Sequence, residues 1–158
     1  MKLVIDLASQ TMRLHDADGT VLRRYCVSTA LNGPGECKNS GCTPRGRHRI
    51  RARIGGGLPI RSVFVGRRPT GEIWSDALSA AQPARDWILS RILWLSGLEP
   101  GCNRLGEVDS MQRYIYIHGT PDSEPMGEPR SHGCVRMRNR DVVELFELVD
   151  TSTEVDIR

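Results

Sequence analysis

The run Ser131-His132-Gly133-Cys134 places a thiol directly after a glycine and two residues after an imidazole. Pro121, Pro125, Gly127 and Pro129 mark the sequence before it as loop, and a helical pattern follows shortly. A nucleophile on such a turn is open to substrate. Gly133 lets the backbone come close, and successive backbone N–H groups there can converge on a developing oxyanion. A thiol is a good nucleophile at neutral pH only if its pKa is lowered, and a nearby imidazole does this. Cys134 is therefore expected to alkylate faster than Cys26 or Cys102. Two histidines compete for the role of base. His132 is nearer in sequence, but a two-residue spacing does not by itself aim its ring at the thiol. His118 ends the alternating run Tyr114-Ile115-Tyr116-Ile117, and a strand end is a rigid support. His118 is assigned as base, with the Gly119 carbonyl as orienter of its other ring nitrogen. The chemistry is covalent acyl transfer through cysteine.

The elements that must position these residues are mostly strands. Leu3 to Leu7 is a short apolar strand. Thr11 to His15 alternates, Asp18-Gly19 is a turn, and Val21 to Val27 returns. Residues 31–46 are dense in glycine and proline and form a long loop. Arg47 to Ile54 alternates, with His48, Ile50, Ala52 and Ile54 on one side, and Ser62 to Gly66 is a further short strand. Pro83 interrupts residues 77–96, where strand character is placed at Ile92 to Leu95. Tyr114 to His118 reads as the cleanest strand. Asn139 is expected to cap a helix whose apolar face is Val142, Leu145, Phe146 and Val149. Thr153 to Ile157 closes the chain as a strand. The expected fold is mainly β (α+β), one domain over 1–158, with one clear helix near the C-terminus.

Composition sets bounds on function. A formal net charge of +3 with scattered arginines lacks the footprint of a nucleic-acid binder. No stretch is long and apolar enough to span a bilayer. The apolar N-terminal run is broken at Asp6, short of an export signal, so a cytoplasmic location is expected if Met1 is the natural start; a removed signal would make it periplasmic. Five cysteines, an odd number, argue against a secreted disulfide framework.

Ile117-His118-Gly119-Thr120, followed by Ser131-His132-Gly133-Cys134-Val135-Arg136-Met137, resembles the signature of the L,D-transpeptidase (YkuD) family. Thr43-Pro44-Arg45-Gly46 resembles a further segment of that family, and the opening hairpin and closing strand agree with it. The resemblance implies a β-sandwich- or barrel-like catalytic domain that needs no cofactor or metal. It implies Cys134 as nucleophile, His118 as base and the Gly119 carbonyl as orienter. The backbone N–H groups of His132, Gly133 and Cys134 would hold the oxyanion. Arg136, where many members carry Asn, would meet a substrate carboxylate; Ser131 is also expected at the substrate, and Tyr116, on the face of His118 by strand alternation, is expected to line the pocket. The loop from His118 to Ser131 is slightly shorter than in the usual motif, so a small covering flap is expected.

The substrates so implied are peptidoglycan stem peptides. Cys134 would attack the carbonyl that joins the L-centre of a diamino acid to a terminal D-alanine. Water as acceptor makes the enzyme an L,D-carboxypeptidase; an amine makes it a transpeptidase. A cytoplasmic enzyme meets soluble recycled tetrapeptides, which favours water. A non-catalytic peptide-binding module would need the nucleophile or base to be missing, and both are present. Oligomeric state is not legible.

The remaining candidates have plainer readings. Cys26 and Cys102 are expected to be small buried apolar residues. Cys37, Cys42 and His48 have poor spacing for zinc, and a reversible disulfide or a pocket wall suits the two thiols at least as well. Arg45, Arg47, Arg49, Arg51 and Arg53 alternate as a solvated strand face.

Overall fold

The run Ile88-Leu89-Ser90-Arg91-Ile92-Leu93-Trp94-Leu95 is the axis of the protein. In the computed structural model, which describes residues 1–158, it lies in a ten-residue strand, Ile88–Gly97. A near-continuous apolar run suits a strand covered on both faces, and only Ile88 and Trp94 in it are less than fully buried. The strand is longer than the Ile92–Leu95 stretch expected, because Pro83 lies before it, in the connection.

The strands are β1 (Lys2–Asp6), β2 (Thr11–His15), β3 (Val21–Cys26), β4 (Gly46–Ile54), β5 (Ser62–Val65), β6 (Arg68–Ile73), β7 (Ile88–Gly97), β8 (Tyr116–Gly119), β9 (Val135–Met137) and β10 (Glu154–Ile157). The helices are α1 (Asp76–Ala81) and α2 (Asn139–Leu148). The sheet runs β3-β2-β1-β10-β4-β7-β5-β6, with β8 and β9 branching from β7. Leu89 pairs with both Val63 and Gly119, and Ile92 with both Ile54 and His118. β4 and β5 therefore share one edge of β7, and β8 takes the other.

Both halves of this sheet feed one core. Leu3, Ile5 and Val155 from one half meet Leu93, Ile117, Val135 and Met137 from the other, so the sheet curls onto itself around α2. α2 contributes Val142, Leu145 and Phe146, the periodic face read from the sequence. Each such side chain contributes about 1.5–3 kcal/mol by burial.

Several local expectations change. The clean strand begins at Tyr116; Tyr114 has φ +55° and is exposed. Asn139 is the first helical residue and not the cap. Arg138 holds the cap position without a side-chain hydrogen bond. The β6 hairpin strand and α1 were not anticipated: β6 is largely exposed and contains Pro69 and Gly71, and α1 is six residues with no buried side chain. Cys26 and Cys102 are exposed, since Cys26 ends β3 at the sheet margin and Cys102 lies in a turn. The arginines of β4 are exposed as read, while Ala52 and Ile54 are half-buried.

Candidate active site

Two short parallel strands carry the site. β8 and β9 pair with Ile117 opposite Val135 and His118 opposite Arg136. Ile117, Val135 and Met137 face the main core. Alternation then turns Tyr116, His118 and Arg136 to the opposite face. Cys134, just before β9, joins them there, packed beside Tyr116 in a separate cluster.

Cys134 is half-buried. Its thiol donates to the Tyr114 carbonyl and accepts from the Tyr116 N–H, both at 3.3 Å. Burial pushes the thiol up to about 11, against the pull of the Tyr116 N–H. The lowered thiol expected from sequence is thus corrected: a dehydrated environment favours the neutral form.

His118 is 3% exposed. Its Nδ1 lies 2.6 Å from the Gly119 carbonyl oxygen. A carbonyl only accepts, so Nδ1 carries the proton and Nε2 is left free to receive one. Burial, opposed by that hydrogen bond, brings the imidazole down to about 4. The resting pair is therefore neutral thiol and neutral imidazole. Beyond burial and backbone hydrogen bonds, Asp86 raises and Arg136 lowers the proton affinity of both groups.

The turn before Cys134 is built by hydroxyls. Ser131 Oγ donates to the Cys134 carbonyl at 2.5 Å and accepts from the Gly133 N–H at 3.2 Å. Ser131 is buried, so its hydroxyl shapes the turn and is not free for substrate. Thr43 Oγ1 donates to the Gly133 carbonyl at 2.9 Å and accepts from the Ala30 N–H. Gly133 has φ +136°, and a Cβ there would lie 3.1 Å from the Cys42 carbonyl oxygen, which Arg113 holds at 2.7 Å. The Gly133 amide is thus engaged, while those of His132 and Cys134 bond no protein group.

Tyr116 is buried, its hydroxyl accepts from Arg67 at 3.0 Å, and its ring meets Trp94 edge-on. It forms a wall of the site, with only its N–H aimed at the sulfur. His132 is exposed and lines two cavities. One, of about 370 Å³, is also lined by Asp86, Trp87, Thr120, Glu124 and Arg136. The other, of about 480 Å³, is lined by Lys38, Gln112, Arg113, Tyr114 and Ile115. Cys134 bonds Tyr114, which lines the second cavity, and stands two residues before Arg136, which lines the first.

Asn139 is the residue that sequence reasoning misplaced. Its Nδ2 donates to the Thr120 carbonyl at 2.9 Å, and its Oδ1 accepts from Ser90 Oγ at 2.7 Å. Ser90 has φ +70° in the bulge of β7. Together they lock the strand end that carries His118 and Gly119. His48 is taken up elsewhere: Nε2 lies 2.8 Å from Ser110 Oγ and Nδ1 3.0 Å from the Gly46 carbonyl, so it is not shared with Cys37 and Cys42.

The family model for the YkuD L,D-transpeptidase catalytic domain matches residues 1–157. The YkuD protein of Bacillus licheniformis is 49% identical over 46 residues, 29% of this chain and 28% of that protein. The YbiS protein of Escherichia coli is 49% identical over 43 residues, 27% of this chain and 14% of that protein. Among solved structures, an L,D-transpeptidase from Mycobacterium smegmatis superposes with TM-score 0.57 at 19% identity. L,D-transpeptidase 3 of Mycobacterium tuberculosis does so with TM-score 0.58 at 15% identity. Each covers 99% of this chain, which spans 57% and 60% of theirs. Those likenesses show the mainly β fold. With the family model matched along almost its whole length, the chain belongs to the YkuD family of L,D-transpeptidase catalytic domains.

Proposed function

We propose that this protein is a cysteine acyl-transfer enzyme that removes the terminal D-alanine from peptidoglycan tetrapeptides, an L,D-carboxypeptidase. The observation that carries this reading is the common face of β8 and β9. It gathers a thiol, an imidazole with a free Nε2 and a buried guanidinium on one side of two paired strands, and the guanidinium lines a cavity of about 370 Å³.

As Cys134 Sγ attacks the carbonyl, His118 Nε2 takes the thiol proton. The Tyr116 N–H is already directed at the sulfur that becomes anionic. The free amides of His132 and Cys134 receive the oxyanion. Arg136 holds the terminal carboxylate. Collapse expels D-alanine, whose nitrogen takes the proton from His118. Water then gives a proton to His118 and attacks the thioester, and the proton returns to the sulfur as the shortened peptide leaves. The approach is wet, with His132, Asp86 and Glu124 side chains 81%, 57% and 42% exposed, and this supports water as acceptor.

A second reading, transfer to an amine, is favoured by the structural neighbours, which are L,D-transpeptidases. Incubation with a disaccharide tetrapeptide, with and without D-methionine, separates the two. Tripeptide and free D-alanine are expected; predominant dimer or exchanged product would sink the carboxypeptidase reading. Full turnover by Cys134→Ala would remove the enzyme assignment.

A further inference from the structure

Arg136 is buried without a close partner. Its side chain is 10% exposed. Its contacts are the Arg130 carbonyl at 3.5 Å, Asp86 Oδ1 at 3.5 Å and Glu124 Oε2 at 3.8 Å. Charge-assisted N–H···O bonds run at about 2.7–2.9 Å. Elsewhere in this molecule, the exposed Arg45 and the half-buried Arg85 reach that: Arg45 to Glu36 and Arg85 to Glu72 are both 2.7 Å. A desolvated guanidinium with only long contacts is incompletely compensated. It faces the cavity of about 370 Å³.

The two carboxylates on it are held differently from the guanidinium. Asp86 is 57% exposed, in the connection between α1 and β7, with His132 Nδ1 at 4.0 Å beside it. Glu124 is 42% exposed, in the connection between β8 and β9. Of the other cations lining the cavity, Arg85 is taken by Glu72 and Arg130 by Glu128. Arg136 is largely dry and stands on a strand; its counter-ions are solvated and on loops. A third carboxylate arriving at Arg136 would stand against two others, so one must leave.

We propose that Asp86, backed by Glu124, is a displaceable counter-ion that occupies Arg136 until the terminal carboxylate of a substrate replaces it, and that this exchange sets selectivity for a free C-terminal carboxylate. The proposal rests on the reading that Arg136 receives that carboxylate. Asp86 is a specificity-determining residue that competes with the ligand without touching the reacting atoms.

Two measurements test it. In the Cys134→Ala protein, calorimetry compares a stem tetrapeptide with its C-terminal carboxamide. Adding Asp86→Asn should tighten the tetrapeptide about fivefold and leave the carboxamide unchanged. Arg136→Gln should erase the preference between them, and Arg136→Lys, which keeps the charge, should retain part of it. In the protein with Cys134 intact, alkylation of that residue by iodoacetate and by iodoacetamide is followed at about pH 10, where an appreciable fraction of the thiol is ionised. The ratio of the two rates should rise several-fold in Asp86→Asn and less in Glu124→Gln. An unchanged ratio in Asp86→Asn overturns the proposal, as does equal tightening of tetrapeptide and carboxamide. If neither peptide binds while the ratio rises as stated, the stem-peptide reading fails and the counter-ion exchange stands.

Discussion

A cysteine beside a histidine invites the thiolate–imidazolium pair, yet burial here selects the neutral forms. The thiol is held up at about 11 and the imidazole down at about 4. The pH dependence follows in sign. His118 can act as base only when unprotonated, so the rate of acylation should hold from neutral pH downward and fall as pH drops through about 4. A thiolate–imidazolium pair would instead add an alkaline limb, where the imidazolium that must protonate the leaving group loses its proton. Single-turnover acylation across pH measures it, and a limb near the ordinary histidine value of 6.5 would contradict the neutral pair. Alkylation carries the matching signature. Cys134 labelling by iodoacetamide should keep rising toward about pH 11, and at neutral pH the exposed Cys26, Cys37 and Cys102 should react ahead of it. This reverses the order that sequence proximity of thiol and imidazole predicts. The residues of the site were legible because a Ser-His-Gly-Cys turn and a histidine at a strand end are local patterns. Their charge states were not, because burial belongs to the packing around them. Ser131 and Tyr116 illustrate the same limit: both stand at the site, but Ser131 Oγ is spent on its own turn and the Tyr116 hydroxyl on Arg67.

At the scale of elements, β8 is four residues long and must hold His118 still. Its far end is fixed by Asn139 from α2 and Ser90 from the bulge of β7. Sequence assigned Asn139 to capping, a local role that asparagine often fills, and nothing local signals the tertiary bond to Thr120. The β7 strand was read short for a related reason: buried apolar runs have no period that separates strand from helix. The hairpin β1–β2, the alternating β4 and the amphipathic α2 were legible because their periodicity is written in consecutive residues. Asn139→Ala would strand the Thr120 carbonyl and the Ser90 hydroxyl, at about 1–3 kcal/mol. Thermal unfolding should register the loss, and substitution of the exposed Arg138 should not. Gly119→Ala is a sharper probe. Its Cβ would lie 2.4 Å from Asn139 Oδ1 and 2.7 Å from the Leu89 carbonyl oxygen, so the carbonyl that orients His118 must shift. A fall in kcat of about a hundredfold is expected from a displacement near 1 Å. Near-native kcat in this variant would show that the Gly119 carbonyl is not needed to aim the ring.

Across the whole molecule, the same burial that sets the chemistry sets the response of stability to pH. His48 and His118 are both buried with proton affinities below the ordinary value of 6.5. His48 is lowered by burial, against its hydrogen bond to Gly46. The unfolded chain, with ordinary imidazoles, takes up protons first as pH falls below about 6.5, so the native state loses relative stability there. For His118 the loss is complete near pH 4 and amounts to on the order of 3 kcal/mol. Cys134 acts in the opposite direction: above its ordinary value of 9.0 the unfolded thiol ionises while the native one resists until about 11, so stability falls there too. Denaturant unfolding should therefore show a plateau between about pH 6.5 and 9, declining on both sides. The two histidines can be separated because they lie in different places. His48 sits on β4 against Ser110 and has no part in the site. His48→Gln should shallow the acid decline in stability and leave the acid limb of acylation near pH 4, whereas His118→Gln should shallow the decline and abolish acylation. If His48→Gln moved the kinetic limb as well, β4 and the catalytic face would be coupled electrostatically, and the division of labour between the two buried imidazoles would be wrong.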